Sequence, residues 1–289
     1  LNPLTMPFIQ DHCIAGNPVL PTVCAIQWMR ETAQQLCGLP VSVSNYKLLK
    51  GIIFETAQPQ LMQLELTQTD KGLTGLISSR LLHDTKATLR PQYQAELVVN
   101  QAALTSTDQA NSSLPAVVVK HQQAKPVLTN AELYSNGSLF HGPRLQGIQQ
   151  VLLATDNQLV CQVALPQVKP QDCSDFAPQL ALGGSQMFAE DLLLQAMLVW
   201  ARVKYDAASL PSTIGEMTTV VPFAANDCGY IVLDVVKHSG RSLTANVSLY
   251  HEDGRLSCRM TNAKTTISKS LNEAFLAPAK ALADLQESV

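Results

Sequence analysis

The sequence predicts an α+β fold in which two long helices are each wrapped by an antiparallel sheet. Three observations carry that expectation. Residues 185–204 are apolar on nearly every face of a helix, from Met187 and Phe188 through Leu192–Leu194 to Trp200, so this helix belongs at the centre of a curved sheet. Residues 22–37 place Ile26, Met29, Ala33 and Leu36 at three- and four-residue steps, which is a second helix with one buried face. After each helix come strand-length apolar runs punctuated by turn residues.

In chain order, residues 8–21 contain Gly16, Pro18 and Pro21, which exclude a continuous helix or central strand and leave His12 on a strand end or loop. The first helix follows and is ended by Gly38 and Pro40. Strands are expected over 47–54, 61–69, 73–82 and 93–102, with Asp70-Lys71-Gly72 among the turns. Residues 105–128 are polar and without a period, and read as a connector. Beyond it, Gly142-Pro143 leads to a hairpin over 148–154 and 159–165 around Asp156-Asn157. Gly183 and Gly184 precede the apolar helix, with Ser185 as its N-cap. Strands over 230–237, 242–250 and 256–267 follow, turning at Gly240 and Asp253-Gly254. The expected organisation is an N-terminal unit 1–104, a connector 105–128 and a C-terminal unit 129–289, repeating in pattern but not residue by residue.

Composition bounds the function. With 46% hydrophobic and 15% charged residues over 289 positions the chain builds a large core, and a net charge of −3 gives no electrostatic reason to bind nucleic acid or an anionic membrane. No apolar run has transmembrane length, and the first residues lack the regions of a signal peptide. Seven scattered cysteines without a Cys-x-x-Cys pair indicate neither a disulfide framework nor a zinc site, and fit a reduced, cytoplasmic setting. A first residue other than Met leaves open excision from a larger polypeptide.

Within the apolar helix, Asp191 has no Lys or Arg one turn away, but Gln195 shares its face at i+4. A buried carboxyl without a cation keeps its proton, which makes Asp191 a candidate acid; placed near the helix start beside Glu190, it equally suits the helix dipole. His12 is a candidate base or a satisfied loop histidine, and His141 either meets reacting groups or caps the turn before Gly142-Pro143. His83, His121, His238 and His251 have no recognisable partners and read as surface residues. Cys13 follows His12 directly, so on an extended chain the two side chains point apart and cannot form a catalytic pair. No phosphate loop or clustered metal ligands are recognisable.

His12, Gly16 and Pro21 form His-x-x-x-Gly-x-x-x-x-Pro, residues 140–147 read FHGPRLQG, and Asp191 and Gln195 form Asp-x-x-x-Gln. Together, and in this order, they resemble the dehydratase domains of polyketide synthases, and more narrowly the dehydratase regions of bacterial polyunsaturated fatty acid synthases. The resemblance implies a double hotdog fold and removal of water from a 3-hydroxyacyl thioester to give a 2-enoyl thioester. It implies His12 as base, Asp191 as acid, Gln195 orienting Asp191, the Gly16 amide as donor to the thioester oxygen, and Pro21, His141 and Gly142 in the substrate site. No metal or cofactor is implied. The substrate arrives on the phosphopantetheine of an acyl carrier protein among other domains of a synthase, and homodimerisation is left open. Arg144, Arg202 and Lys204 either face that acidic carrier or are solvated charges. The chain departs from the family at Thr22, at His141 and at Leu145, the last two expected on the pocket wall. The same fold also serves enoyl isomerases, product-template domains and non-catalytic acyl-binding or scaffolding modules.

Overall fold

The helix at 22–37 forms where its period requires. In the computed structural model, which describes residues 1–55, 58–70, 72–99, 113–167 and 177–276 (side chains of 177–184 excepted), helix α2 runs Thr22–Cys37. Gly38 ends it at φ 68°, a left-handed turn suited to glycine, with its amide bonded to Gln34. Ile26, Met29 and Ala33 are fully buried, whereas Leu36 is 69% exposed, so the core stripe stops a turn before the helix does. Ahead of α2 lie the short helix α1 (Pro7–Gln10) and a two-stranded ribbon, β1 (Cys13–Ile14) and β2 (Asn17–Pro18).

Four strands follow: β3 (Val41–Leu48), β4 (Gln60–Thr69), β5 (Gly72–Leu81) and β6 (Arg90–Val99). The strand expected at 47–54 thus lies earlier, and of its second half only Ile53 pairs, in an isolated bridge to Val19. Residues 100–102 and 105–112 lie outside the described residues. Within the connector range, helix α3 (Ala116–His121) sets Val118 against Leu152, Val160 and Val232 in a small separate cluster. Strand β7 (Leu128–Thr129), helix α4 (Asn130–Ser135) and the hairpin β8 (Ile148–Ala154) and β9 (Gln158–Ala164) come next.

The apolar helix, α5, spans Ala177–Tyr205. It begins before Ser185, which is therefore interior and not an N-cap, and helix continues through Gly183 and Gly184. Asp191 sits about four turns in, so a helix-dipole role does not describe it. After α5 come β10 (Ala208–Thr219), β11 (Cys228–Ser239), β12 (Ser242–His251), β13 (Leu256–Ser268) and the short helix α6 (Leu271–Leu276). Strand β10 was not legible in the sequence: Pro211 and Gly215 break its pattern, and its ladder to β13 shifts register between Pro211 and Thr213.

The main sheet has eleven strands in the order β4-β5-β6-β3-β10-β13-β12-β11-β9-β8-β7. The N-terminal strands wrap α2 and the C-terminal strands wrap α5; β3 and β10 zip the two sheets edge to edge, pairing Tyr46 with Ile214 and Val43 with Met217. The fold is a double hotdog. The helices also lock to each other: Arg30 on α2 makes a two-pronged ion pair with Glu190 on α5 at 2.7 and 3.0 Å, both side chains buried, and Thr219 of β10 donates to Glu190 at 2.9 Å. No helix among the described residues is long and apolar enough to cross a membrane.

Candidate active site

His12 is positioned by the β1–β2 ribbon. Ala15 and Gly16 turn the chain at φ 52° and 75°, the double positive φ of a tight hairpin, and Gly16 takes it without steric cost. The reversal returns Val19 to His12: the Val19 amide donates to the His12 carbonyl at 2.9 Å, and His12 Nδ1 lies 2.8 Å from the Val19 carbonyl. A carbonyl only accepts, so Nδ1 carries the hydrogen and Nε2 keeps its lone pair. Burial lowers the imidazole pKa to about 4, against a smaller opposing effect of the Val19 bond, so the ring is neutral at physiological pH. Pro21, at φ −58° and ψ 140°, then delivers the chain into α2.

His141 arrives from the other half. His12 and His141 face each other as an isolated antiparallel pair, extended by the Gly142 amide donating to the Asp11 carbonyl at 2.7 Å. The Asp11 carboxylate accepts from the Arg144 amide at 2.9 Å and its guanidinium at 3.1 Å, which holds the turn Pro143–Leu145. A Cβ at Gly142 would stand 2.5 Å from Asp11 Oδ1, so glycine is needed for this approach. The two imidazole centroids are 5.4 Å apart, and Phe140 stacks on His141. His141 Nε2 lies 3.5 Å from Asp191 Oδ2, so the ring meets the acid. Burial, with His12 beside it, holds its pKa well below the usual histidine value.

Asp191 is 3% exposed and is paired with no Lys or Arg among the described residues. Burial raises its pKa to about 6, opposed by the hydrogen bond from Gln195. Gln195 Nε2 divides its two hydrogens between Asp191 Oδ2 and the Leu145 carbonyl, each at 2.9 Å, while its Oε1 accepts from the Tyr134 hydroxyl at 2.7 Å. That hydroxyl accepts in turn from the Ile148 amide at 3.1 Å. The amide orientation of Gln195 is therefore set on both sides.

His12, His141, Asp191 and Gln195 line one cavity of about 460 Å³ at the seam of the two halves. Its wall is mostly apolar, with Leu20, Leu48 and Ile53 from one half and Leu194, Leu198 and Leu210 from the other, the last from β10. Ala15, Asn17 and His141 reach this wall, whereas Gly16, Pro21 and Gly142 are not among its lining residues and serve the turns that position it; Leu145 is in the core and meets the site through its carbonyl, contrary to expectation. One donor atom each from His12, His141 and Asp191 lies within 4.8 Å of the other two, a set able to hold a metal ion.

Residues 1–80 match the family described as polyketide synthase dehydratase domain, and residues 109–274 match that described as polyketide synthase dehydratase N-terminal domain. The chain belongs to the polyketide synthase dehydratase family. It is 27% identical over 248 residues to a polyunsaturated fatty acid synthase polypeptide of Thraustochytrium sp., covering 85% of this chain and 8% of that protein. To polyketide synthase PksM of Bacillus subtilis it is 23% identical over 266 residues, covering 89% of this chain and 6% of that protein. The chain thus spans less than a tenth of these relatives. Among solved structures, the dehydratase domain from the CurJ module of curacin polyketide synthase superposes with a TM-score of 0.74 at 15% identity, over 96% of this chain and 91% of that one. A trans-AT dehydratase domain from Brevibacillus brevis gives 0.73 at 18%, over 93% and 92%.

In this dehydratase-family chain, sequence reasoning missed Asp11, Val19 and Tyr134, which act on the site through a carboxylate that holds a turn, a backbone carbonyl and a hydroxyl reaching across from another element, none of which leaves a spacing signal. The candidate carrier-facing cations are engaged internally: Arg144 with Asp11, Arg202 with the carbonyls of Gly137 and Ser138, and Lys204 with Asp156. Of the four histidines read as surface residues, His83 is exposed as expected, but the other three need correction, His121 being half-buried with Nδ1 2.8 Å from the Val117 carbonyl. His251 is buried near Asp227, and His238 bonds the Tyr205 hydroxyl at 2.6 Å. The Cys13 thiol bonds the Gln10 carbonyl, and burial raises its pKa to about 11, which leaves it a poor nucleophile.

Proposed function

We propose that this chain removes water from a 3-hydroxyacyl thioester presented on the phosphopantetheine of an acyl carrier protein, giving the 2-enoyl thioester, with His12 as base and Asp191 as acid. The observation that carries the reading is a neutral imidazole with a free Nε2 and a carboxyl biased toward its protonated form, facing one apolar cavity from opposite halves of the fold. His12 Nε2 takes the proton from the carbon next to the thioester carbonyl; the electron pair forms the new double bond as the C3–O bond breaks, and Asp191 protonates the departing hydroxyl to water. Charge gathers on the thioester oxygen during this step, and the Gly16 amide is the proposed donor to it. Gln195 orients the acid, and His141 contacts it where the hydroxyl would leave.

The apolar wall suits an aliphatic acyl chain. A non-catalytic scaffold is a poorer account, because a buried carboxyl with no Lys or Arg beside it among the described residues costs stability, which a proton-transfer role explains and a scaffold does not. The test is mass spectrometry of short and long 3-hydroxyacyl and 2-enoyl carrier-protein thioesters, followed in both directions. Wild type should interconvert them, and His12→Ala and Asp191→Asn should each lose at least about a hundredfold while remaining folded. Formation of a 3-enoyl product would assign an isomerase instead. Binding without interconversion would assign an acyl-binding module.

A further inference from the structure

We propose that His12, His141 and Asp191 form a capture site for a divalent transition-metal ion, zinc first of all, which occupies the base and the acid together and blocks the cavity. Two imidazoles and one carboxylate are a donor set that zinc takes. Bonds of about 2.0–2.1 Å in a tetrahedron place ligand atoms about 3.3–3.4 Å apart. The His141–Asp191 pair already stands at 3.5 Å, and no pair in the cluster exceeds 4.8 Å. The remaining closure is roughly 1.5 Å at most, within the reach of side-chain rotation about χ1 and χ2.

The surroundings suit ligation as well as the spacing does. His12 donates Nδ1–H to the Val19 carbonyl, the outer-shell bond that fixes a ligating histidine and points its other nitrogen at the metal. His141 Nδ1 is buried with no hydrogen-bond partner among the described residues, so no bond at that nitrogen fixes the tautomer, and Nε2, which already faces Asp191, can present its lone pair to an ion. The cavity supplies an entry path and room for a fourth ligand. No other trio of such groups converges among the described residues.

Capture of the ion needs only this geometry, whereas its effect on turnover rests on the dehydratase reading. The experiment therefore measures binding directly: the full chain is titrated with Co²⁺, followed by its visible absorption, and Zn²⁺ uptake is measured by equilibrium dialysis with elemental analysis. The expected result is one ion per chain, a low-coordinate cobalt spectrum bleached by zinc, and binding weakened tenfold or more in both His12→Ala and His141→Phe, with circular dichroism unchanged. The exposed Cys228 offers a competing thiol. Binding that survives both substitutions, or no uptake in excess ion, overturns the proposal. In the thioester assay, zinc should inhibit and a chelator restore activity. Undiminished turnover by the zinc-loaded chain overturns the blocking role, while a metal-free chain that binds the ion but never turns over refutes the dehydratase reading alone.

Discussion

Asp191→Asn should abolish turnover and yet stabilise the fold above pH 6. Burial lifts the Asp191 pKa from 3.8 to about 6, so between those values the folded chain holds a proton that the unfolded chain has released. Stability from this group is therefore complete below the unfolded pKa of about 3.9 and is lost as pH rises through the folded value near 6. The loss amounts to about 3 kcal/mol, from about two pKa units at 1.36 kcal/mol each. Asparagine keeps the shape and can still accept the Gln195 hydrogen bond, but it never ionises. Any constant packing difference is the same at every pH, and the titrations of His12 and His141 act in both proteins and largely cancel. Urea unfolding of wild type and variant from pH 4 to pH 8 should show a stability difference that shifts in favour of the variant by about 2.5 kcal/mol across that range, roughly half a kcal/mol of the total being already lost at pH 4. A difference independent of pH would refute the assignment of Asp191 as a buried, proton-retaining carboxyl.

The same groups set the pH dependence of catalysis: kcat/KM should rise as His12 loses its proton near pH 4 and fall as Asp191 loses its own near pH 6, which a pH series on the thioester assay measures. The descending limb of kcat should lie at higher pH, because bound substrate expels water from around Asp191 and raises its pKa further. Tyr134→Phe removes the hydroxyl that holds Gln195 Oε1 and accepts from Ile148, so it should cost about 1–3 kcal/mol in denaturant unfolding and lower kcat more than it alters KM. Arg30→Leu leaves Glu190 buried without its cation and should destabilise by about 3–5 kcal/mol, with most of the loss recovered when Glu190→Leu is added in a double-mutant cycle. Gly142→Ala drives a Cβ into Asp11 and pushes apart the strands that align the two histidines; a loss of about 1–3 kcal/mol together with reduced turnover is expected from unfolding and thioester assays.

The helices and most strands were legible because their information is local. The apolar steps of residues 22–37 and the left-handed stop at Gly38 need no partner to be read, and the turn residues between β11, β12 and β13 mark strand ends wherever those strands pair. Among the described residues no Lys or Arg pairs with Asp191, and the titratable side chain that meets it is His141, whose pKa burial holds well below the usual value. The start of α5 misled, because Gly183-Gly184 followed by Ser185 has the local chemistry of a helix start, yet helix runs through it.

What sequence by itself determined is thus the pair of helices, the wrapping strands and the residue types that carry the chemistry. Tertiary structure alone decided the rest. Strand β10, with Pro211 and Gly215 in it, forms because β3 and β13 supply partners on either side, and it then lends Leu210 to the cavity. The meeting of His12, His141 and Asp191 depends on a two-residue bridge between segments 129 positions apart, on the carbonyl of Val19, and on Tyr134 reaching across to Gln195. Those contacts join halves that repeat in pattern but not residue by residue, and pairing between distant segments leaves no periodic trace in either one. The site exists only where the two sheets close on each other.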